Sequence, residues 1–397
     1  MTQHAPRHDI WIILAGYLAA VHVGKLATII PILQQQLHIS LAQAGLALSL
    51  VQAAGMLFAL CLGVFSEKFG LKKCFLSGLI ILGFSSLASV FIHNIYSLFF
   101  FRFFEGIGFL LITLTAPAIL KRICDPAKIN MKMGLWGSYM GLGVGIAMLT
   151  IPLLMQFFSW QTIWVILGIL CFAIAFIITK LLVLPNQPTY TTQSDSFFHL
   201  LKITLTHPPI ICLALIFACY TSQWLTVIGF LPSIYLSNHI ELKTAGLLTA
   251  SVSIANIVGT LISGILLHRG VQPKSLFRWG FVIMLLMSWV TFCMQSYLPF
   301  SLQYLSVFLF SAVGGFIPAT VFAICLYYAP QQNAVAASVG LVLQISALGQ
   351  FLLPPLSALL VSYTHTWSTI AWATTTLSLL GLIVVWKLFK AHPYQKV

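Results

Sequence analysis

The sequence predicts an all-α integral membrane protein of twelve transmembrane helices in two six-helix bundles, and three observations lead there. Of 397 residues, 60% are hydrophobic and only 6% charged, a composition incompatible with a soluble domain. Apolar runs recur along the whole chain, each of about 20 residues and so able to cross a hydrocarbon core of about 30 Å as an α-helix. The basic residues are unevenly placed. Arg7, Lys68, Lys72, Lys73, Lys121, Arg122, Lys128, Lys132, Lys180, Lys202, Arg269, Lys274, Arg278, Lys387, Lys390 and Lys396 fall at one set of loops and ends, whereas the other set holds only Lys243. Cations accumulate on cytoplasmic loops, so both termini and the central linker are expected in the cytoplasm, as an even number of spans requires. The apolar runs do not alternate, which argues against a transmembrane β-barrel.

Taken in order, Met1 to Asp9 is polar and short, so the first span is expected to act as its own insertion signal without a separate signal peptide. The first half, residues 1–184, reads as spans at 10–34, 41–66, 72–93, 96–124, 131–157 and 160–184. Residues 185–207 are rich in Thr, Ser, Gln and Pro and read as a cytoplasmic linker, with a short surface helix where Phe197, Phe198, Leu200 and Leu201 meet the membrane. The second half, residues 208–397, reads as spans at 208–237, 243–268, 274–294, 299–328, 334–362 and 367–389.

Three formal charges lie in the interior of the first half's spans, away from their ends. Lys25 stands about six residues before Pro31 in the first span, with His22 one turn earlier on the same face. In the fourth span Arg102 and Glu105 share a face, and the opposite direction of that span brings Arg102 to a depth similar to that of Lys25. Charges at such depth are unfavourable without partners. Lys25 either snorkels outward to the head groups or joins a cluster with Arg102 and Glu105. That cluster is either a static ion pair orienting two helices or a working site, where the surplus cation meets an anion or Glu105 takes up a proton.

The stretch from Leu62 to Lys73 carries an unusual concentration of charge for this chain. Gly63, Glu67, Lys68, Gly70, Lys72 and Lys73 stand in the order Gly-x-x-x-Asp-Arg-x-Gly-Arg-Arg, with Glu for Asp, Lys for Arg and Leu71 where a basic residue is common. This resembles the loop between helices 2 and 3 of the major facilitator superfamily. Gly264, His268 and Arg269 repeat the spacing of Gly63, Glu67 and Lys68 at an offset of 201 residues, and Gly134-Leu135 and Gly143 pair with Gly340-Leu341 and Gly349 at an offset of 206. Both offsets fit an internal duplication. The resemblance implies a monomeric secondary transporter in a bacterial inner membrane that works by alternating access, with these two loops as gates.

The run from Arg102 to Leu111, then Ala116-Pro117-Ala118 and the segment from Gly134 to Met140, resembles the cyanate and nitroimidazole permease branch. It implies a small organic or inorganic anion moved together with protons. Drug–proton antiporters of the superfamily carry Gly-x-x-x-Gly-Pro-x-x-Gly-Gly in helix 5; here Gly137 and Gly141 keep the spacing, but Leu142 replaces the proline. Efflux of small aromatic or amphiphilic compounds is therefore the second reading, and a non-transporting receptor or scaffold the third. Gln52, Trp136, Tyr139, Tyr220, Gln223, Trp224, Asn256 and Gln344 are polar or aromatic side chains within spans, on helices where this superfamily places its cavity.

The net charge of +13 would suggest a nucleic-acid partner in a soluble protein, but here it marks membrane topology, and the partners expected are a small substrate, protons and the bilayer. The eight cysteines lie singly, with no CxxC pair, so neither disulfides nor a metal site is expected. No P-loop, HExxH or nucleophile elbow is present, and neither enzyme chemistry nor a cofactor is expected.

Overall fold

A computed structural model describes residues 8–124, 132, 135–182, 197–294, 297–331 and 334–394, and among these no strand occurs. The first half comprises α1 (His8–Gln36), α2 (Leu41–Ser49), α3 (Ala53–Phe69), α4 (Leu71–Leu87), α5 (Ile95–Ile123), α6 (Tyr139–Leu154) and α7 (Trp160–Leu181). A short α8 (Phe197–Leu205) follows where the surface helix was expected. The remainder comprises α9 (Pro208–Ser237), α10 (Leu242–His268), α11 (Pro273–Cys293), α12 (Phe300–Gly314), α13 (Phe316–Tyr328), α14 (Val335–Thr364) and α15 (Thr369–Ala391). Among the described residues eleven segments are long and apolar enough to cross a membrane, and α6 is a shorter apolar helix between two of them. The chain is therefore a multi-pass membrane protein, and the alternating direction of its spans puts Asp9 and His392 at one end of the bundle, the terminal end.

Side-chain caps mark several starts. Ser40 and Asn94 each form a reciprocal capping box, with Gln43 and Ser97, and Ser159 accepts from the Thr162 N–H. The inter-span turns repeat their backbone. His38 and His239 both take a left-handed conformation (φ 51° and 62°), and Gly70 and Gly270 both have positive φ (96° and 91°). These pairs are separated by 201 and 200 residues, so the offset read from Gly63 and Gly264 reappears in loop geometry.

Three spans differ from their predicted form. The second is interrupted by a 3₁₀ turn, Leu50–Gln52, between α2 and α3. The carbonyl of Ala47, which in a regular α-helix accepts from the Val51 N–H, also accepts from Arg102 Nε at 3.2 Å, and Gly106 of α5 sits against the Val51 carbonyl. The tenth span is divided at Gly315, where α12 and α13 press their backbone onto α10. The fifth is interrupted by a turn at Ser138, with residues 132 and 135–137 helical before it, and it ends at Leu154; residues 125–131 and 133–134 lie outside the described residues.

Packing joins α1 to α5, α6 and α7, and α4 to α5 and α7; it also joins α9 to α14 and α15, and α11 to α12 and α15. The two groups meet where α2 and α3 run along α14, where α6 runs along α10, and where α1 touches α9. Small residues make these seams close. Gly45 lies on Pro354 and Pro355, Gly246 on Met148 and Pro152, and Gly229 on Leu48, all toward the end remote from the termini.

The seam between α10 and α12 is the tightest of these contacts. A Cβ on Gly259 would lie 1.6 Å from the Ala312 carbonyl oxygen, whereas one on Gly137 would meet nothing within 4 Å. Gly259→Ala is expected to destabilise the protein by about 1–3 kcal/mol. Gly137→Ala should change stability by no more than about 0.5 kcal/mol. Thermal unfolding of the two variants in the same detergent tests the contrast.

Candidate functional site

The four titratable residues expected in the first-half spans converge on one point. Glu105 of α5 accepts from Arg102 Nη1 at 2.7 Å and from Lys25 Nζ of α1, and His22 Nδ1 lies 3.7 Å from its Oε1. Lys25 Nζ also lies 3.0 Å from His22 Nδ1, donates to Ser86 Oγ of α4 at 2.9 Å, and stands 4.0 Å over the Trp164 ring of α7. Arg102 Nη1 donates to the His22 carbonyl at 2.9 Å, and Ser86 Oγ donates to the Trp164 carbonyl at 2.7 Å. His22, Lys25, Arg102 and Glu105 have no exposed surface. Lys25 does not snorkel: its ammonium is directed into this network, because a carboxylate within reach replaces the hydration that head groups would have offered. Two cations and one carboxylate thus tie α1, α2, α4, α5 and α7 together.

None of these four residues lines the central cavity. That cavity, of about 110 Å³, lies between the two groups of helices. Its walls are helical stripes at spacing i, i+3, i+4, i+7: Phe217, Tyr220, Thr221 and Trp224 on α9, and Leu343, Ser346, Ala347 and Gln350 on α14. Phe109, Leu110 and Thr113 of α5, residues 137–141 before and within α6, and Asn256, Ile257 and Thr260 of α10 complete it. No charged side chain is among the lining residues.

A line of hydrogen bonds crosses the cavity wall from one group of helices to the other. Gln52 Nε2 donates to Gln350 Oε1 at 3.1 Å, Gln350 Nε2 donates to Ser346 Oγ at 2.9 Å, and Ser346 Oγ lies 2.9 Å from Thr221 Oγ1. On the opposite wall Asn256 Nδ2 donates to Tyr220 Oη and to the Ser311 carbonyl, both at 2.8 Å, while Trp224 Nε1 donates to Ser311 Oγ at 2.9 Å. Buried polar groups so paired hold their side chains in fixed directions.

Of the single-residue candidates, Gln52, Tyr139, Tyr220, Trp224 and Asn256 line this cavity. Trp136 stacks on Tyr139 with ring centroids 4.8 Å apart and covers Gly16 of α1. Gln223 turns away, donating to the Cys219 carbonyl and accepting from Ser378 Oγ of α15. Gln344 accepts from the Leu60 N–H at the seam, so Gln350, two turns along α14, is the glutamine that faces the cavity. Gln350, Thr113, Thr221 and Ser346 were missed by sequence reasoning, although the stripe around Ser346 carried the signal.

The loop residues are only partly visible. The side chains of Glu67 and Lys68 lie outside the described residues. Lys72 donates to the Thr179 carbonyl at 3.1 Å, capping the end of α7 within its own group of helices. Gly63 is buried, whereas Lys73, Gly264, His268 and Arg269 are exposed, and Gly264 has open space where a Cβ would stand.

The sequence profile of the Major Facilitator Superfamily matches residues 12–347 and 226–397. Over 145 residues the chain is 27% identical to the tetracenomycin C resistance and export protein of Streptomyces glaucescens, a stretch covering 34% of this chain and 25% of that protein. The chain thus spans about a quarter of that relative's length in the match.

The ion network sets a stability prediction. Glu105→Gln leaves Lys25 and Arg102 buried without a counter-charge and is expected to lower stability by about 3–5 kcal/mol. Lys25→Met leaves Glu105 paired with Arg102 and should have a clearly smaller effect. Thermal unfolding of both variants in matched detergent checks the order.

Proposed function

The chain belongs to the Major Facilitator Superfamily, a family of transporters, and on that premise we propose that it exports small neutral aromatic or amphiphilic molecules by alternating access. The observation that carries this reading is the central cavity, bounded by Phe109, Tyr139, Tyr220, Trp224 and Phe322 together with uncharged amides and hydroxyls. An aromatic body gains stacking and desolvation there, and a carbonyl or hydroxyl finds Gln52, Gln350 or Asn256 as its partner. An anion would lose its hydration with no cation to replace it. The name of the Streptomyces glaucescens relative, a resistance and export protein, supports the outward direction.

The anion reading rests on Lys25 and Arg102. Both are engaged by Glu105 and by backbone or hydroxyl groups away from the cavity lining. Their role in the proposed cycle is to keep the first bundle rigid. Residues 1–184 and 208–397 would rock as two bodies joined by the linker 185–207, with the Gly63–Lys73 turn and its counterpart at Gly264–Arg269 meeting and parting at the terminal end. The hydrogen bond from Gln52 to Gln350 crosses from one body to the other, so substrate that takes over either amide loosens the contact that must open. The drive of the proposed cycle is a gradient.

The test is a thermal-shift screen of purified protein against neutral aromatic compounds and against cyanate and formate. Stabilisation by aromatics is expected in wild type and in Arg102→Lys alike, and an aromatic at about 100 times its Kd contributes about 2.7 kcal/mol. In proteoliposomes Tyr139→Ala and Gln350→Ala should each lower transport of the hit compound about fivefold to tenfold. Stabilisation by an anion, lost in Arg102→Gln, would replace this reading with the anion one.

A further inference from the structure

A second cavity, of about 500 Å³, lies among α9, α10, α11 and α12, beside Asn238 and Ile240 at the end remote from the termini. Its position is specified by the internal repeat. An offset of 205 residues, which also carries Ile95 at the start of α5 to Phe300 at the start of α12, takes Ser86 to Thr291 and Arg102 to Val307, and both of these counterparts line the cavity. The first half fills this place with an ion lattice. The second half has apolar or neutral side chains there and leaves the space open.

The polar groups around it are unequally satisfied. Thr291 Oγ1 lies 2.7 Å from Ser306 Oγ, and Tyr304 Oη lies 2.5 Å from Ser251 Oγ. Tyr235, only 5% exposed, has a hydroxyl with no hydrogen-bond partner among the described residues. A buried donor without an acceptor is unfavourable, and a ligand that brings an acceptor recovers that loss. Aromatic faces stand next to it: Tyr235 meets Phe300 edge to face at 5.7 Å, and Phe300 stacks on Tyr304 at 6.4 Å. No charged side chain is among the lining residues.

We propose that this cavity is a second ligand site, which takes a small neutral aromatic molecule bearing a hydrogen-bond acceptor. The ring packs against Phe300 and Tyr304, and the acceptor receives the proton of the Tyr235 hydroxyl. The volume falls within the range of small-molecule sites. The assignment does not depend on what the central cavity carries, since the two cavities share no lining residue.

The experiment uses bromonaphthol as the probe and the full chain in crystals, reading the anomalous signal of bromine. A peak between Tyr235, Phe300 and Tyr304 is expected in wild type. Val307→Trp, which fills the space, should abolish that peak, and Tyr235→Phe, which removes only the hydroxyl, should weaken binding about fivefold in a titration against protein in nanodiscs. Thermal unfolding in the absence of probe identifies a variant that has merely failed to fold, and the Tyr235→Phe titration then decides. Bromine found only in the central cavity, an acyl chain occupying the second cavity that the probe does not displace, or Tyr235→Phe binding equal to wild type overturns the proposal.

Discussion

One carboxylate governs the first half of this protein. Glu105 is buried beside two cations in a region where unpaired charge is intolerable, so each member of the cluster fixes the others. The consequence reaches beyond the ion pairs. Arg102 also takes the Ala47 carbonyl, the second span tightens into a 3₁₀ turn just after it, and the turn ends at Gln52, whose amide points at Gln350 on the other side of the seam. A charge network that never touches the central cavity thereby sets the direction of a residue that does.

This separation of duties gives the molecule two kinds of polar chemistry. Charged groups lie inside one group of helices, bonded to one another and to backbone. Neutral amides, hydroxyls and aromatic rings line the space between the groups, where they can exchange partners at little electrostatic penalty. A transporter has to release what it binds, and neutral hydrogen bonds to a desolvated ligand are weak enough to allow it. In the proposed export reading the hydrophobic component of recognition comes from Phe109, Tyr139 and Trp224, which line the cavity and need no countercharge.

Much of the fold was legible because its causes are local. Apolar length predicts spans, and Ser40, Asn94 and Ser159 mark helix starts by a mechanism that acts within four residues. The convergence of Lys25, Arg102 and Glu105 was also legible, since depth and helix direction follow from counting residues. What sequence could not supply was facing across a seam. Gln344 and Gln350 have the same side chain on the same helix, and only the position of Leu60 and Gln52 on the neighbouring span decides which becomes a backbone partner and which a cavity wall. The break at Leu50–Gln52 is likewise a product of close tertiary approach, with no glycine or proline in it, whereas at Gly315 a local signal was present: the Gly314-Gly315 pair, and Pro318, which has no N–H to return to the Gly314 carbonyl. Proline elsewhere stands inside continuous helices, as Pro31, Pro117 and Pro232 show.

The left-handed turns at His38 and His239 show that the halves share a backbone plan, yet the same interior place is packed with ions in one and hollow in the other. A filled interior resists deformation, whereas one with free volume yields. The two bundles are therefore unequal in compressibility, and hydrostatic pressure would act on them differently, shrinking the second while leaving the first almost unchanged. In mechanical terms the first bundle would be the stator of the proposed cycle, and the second the part that gives.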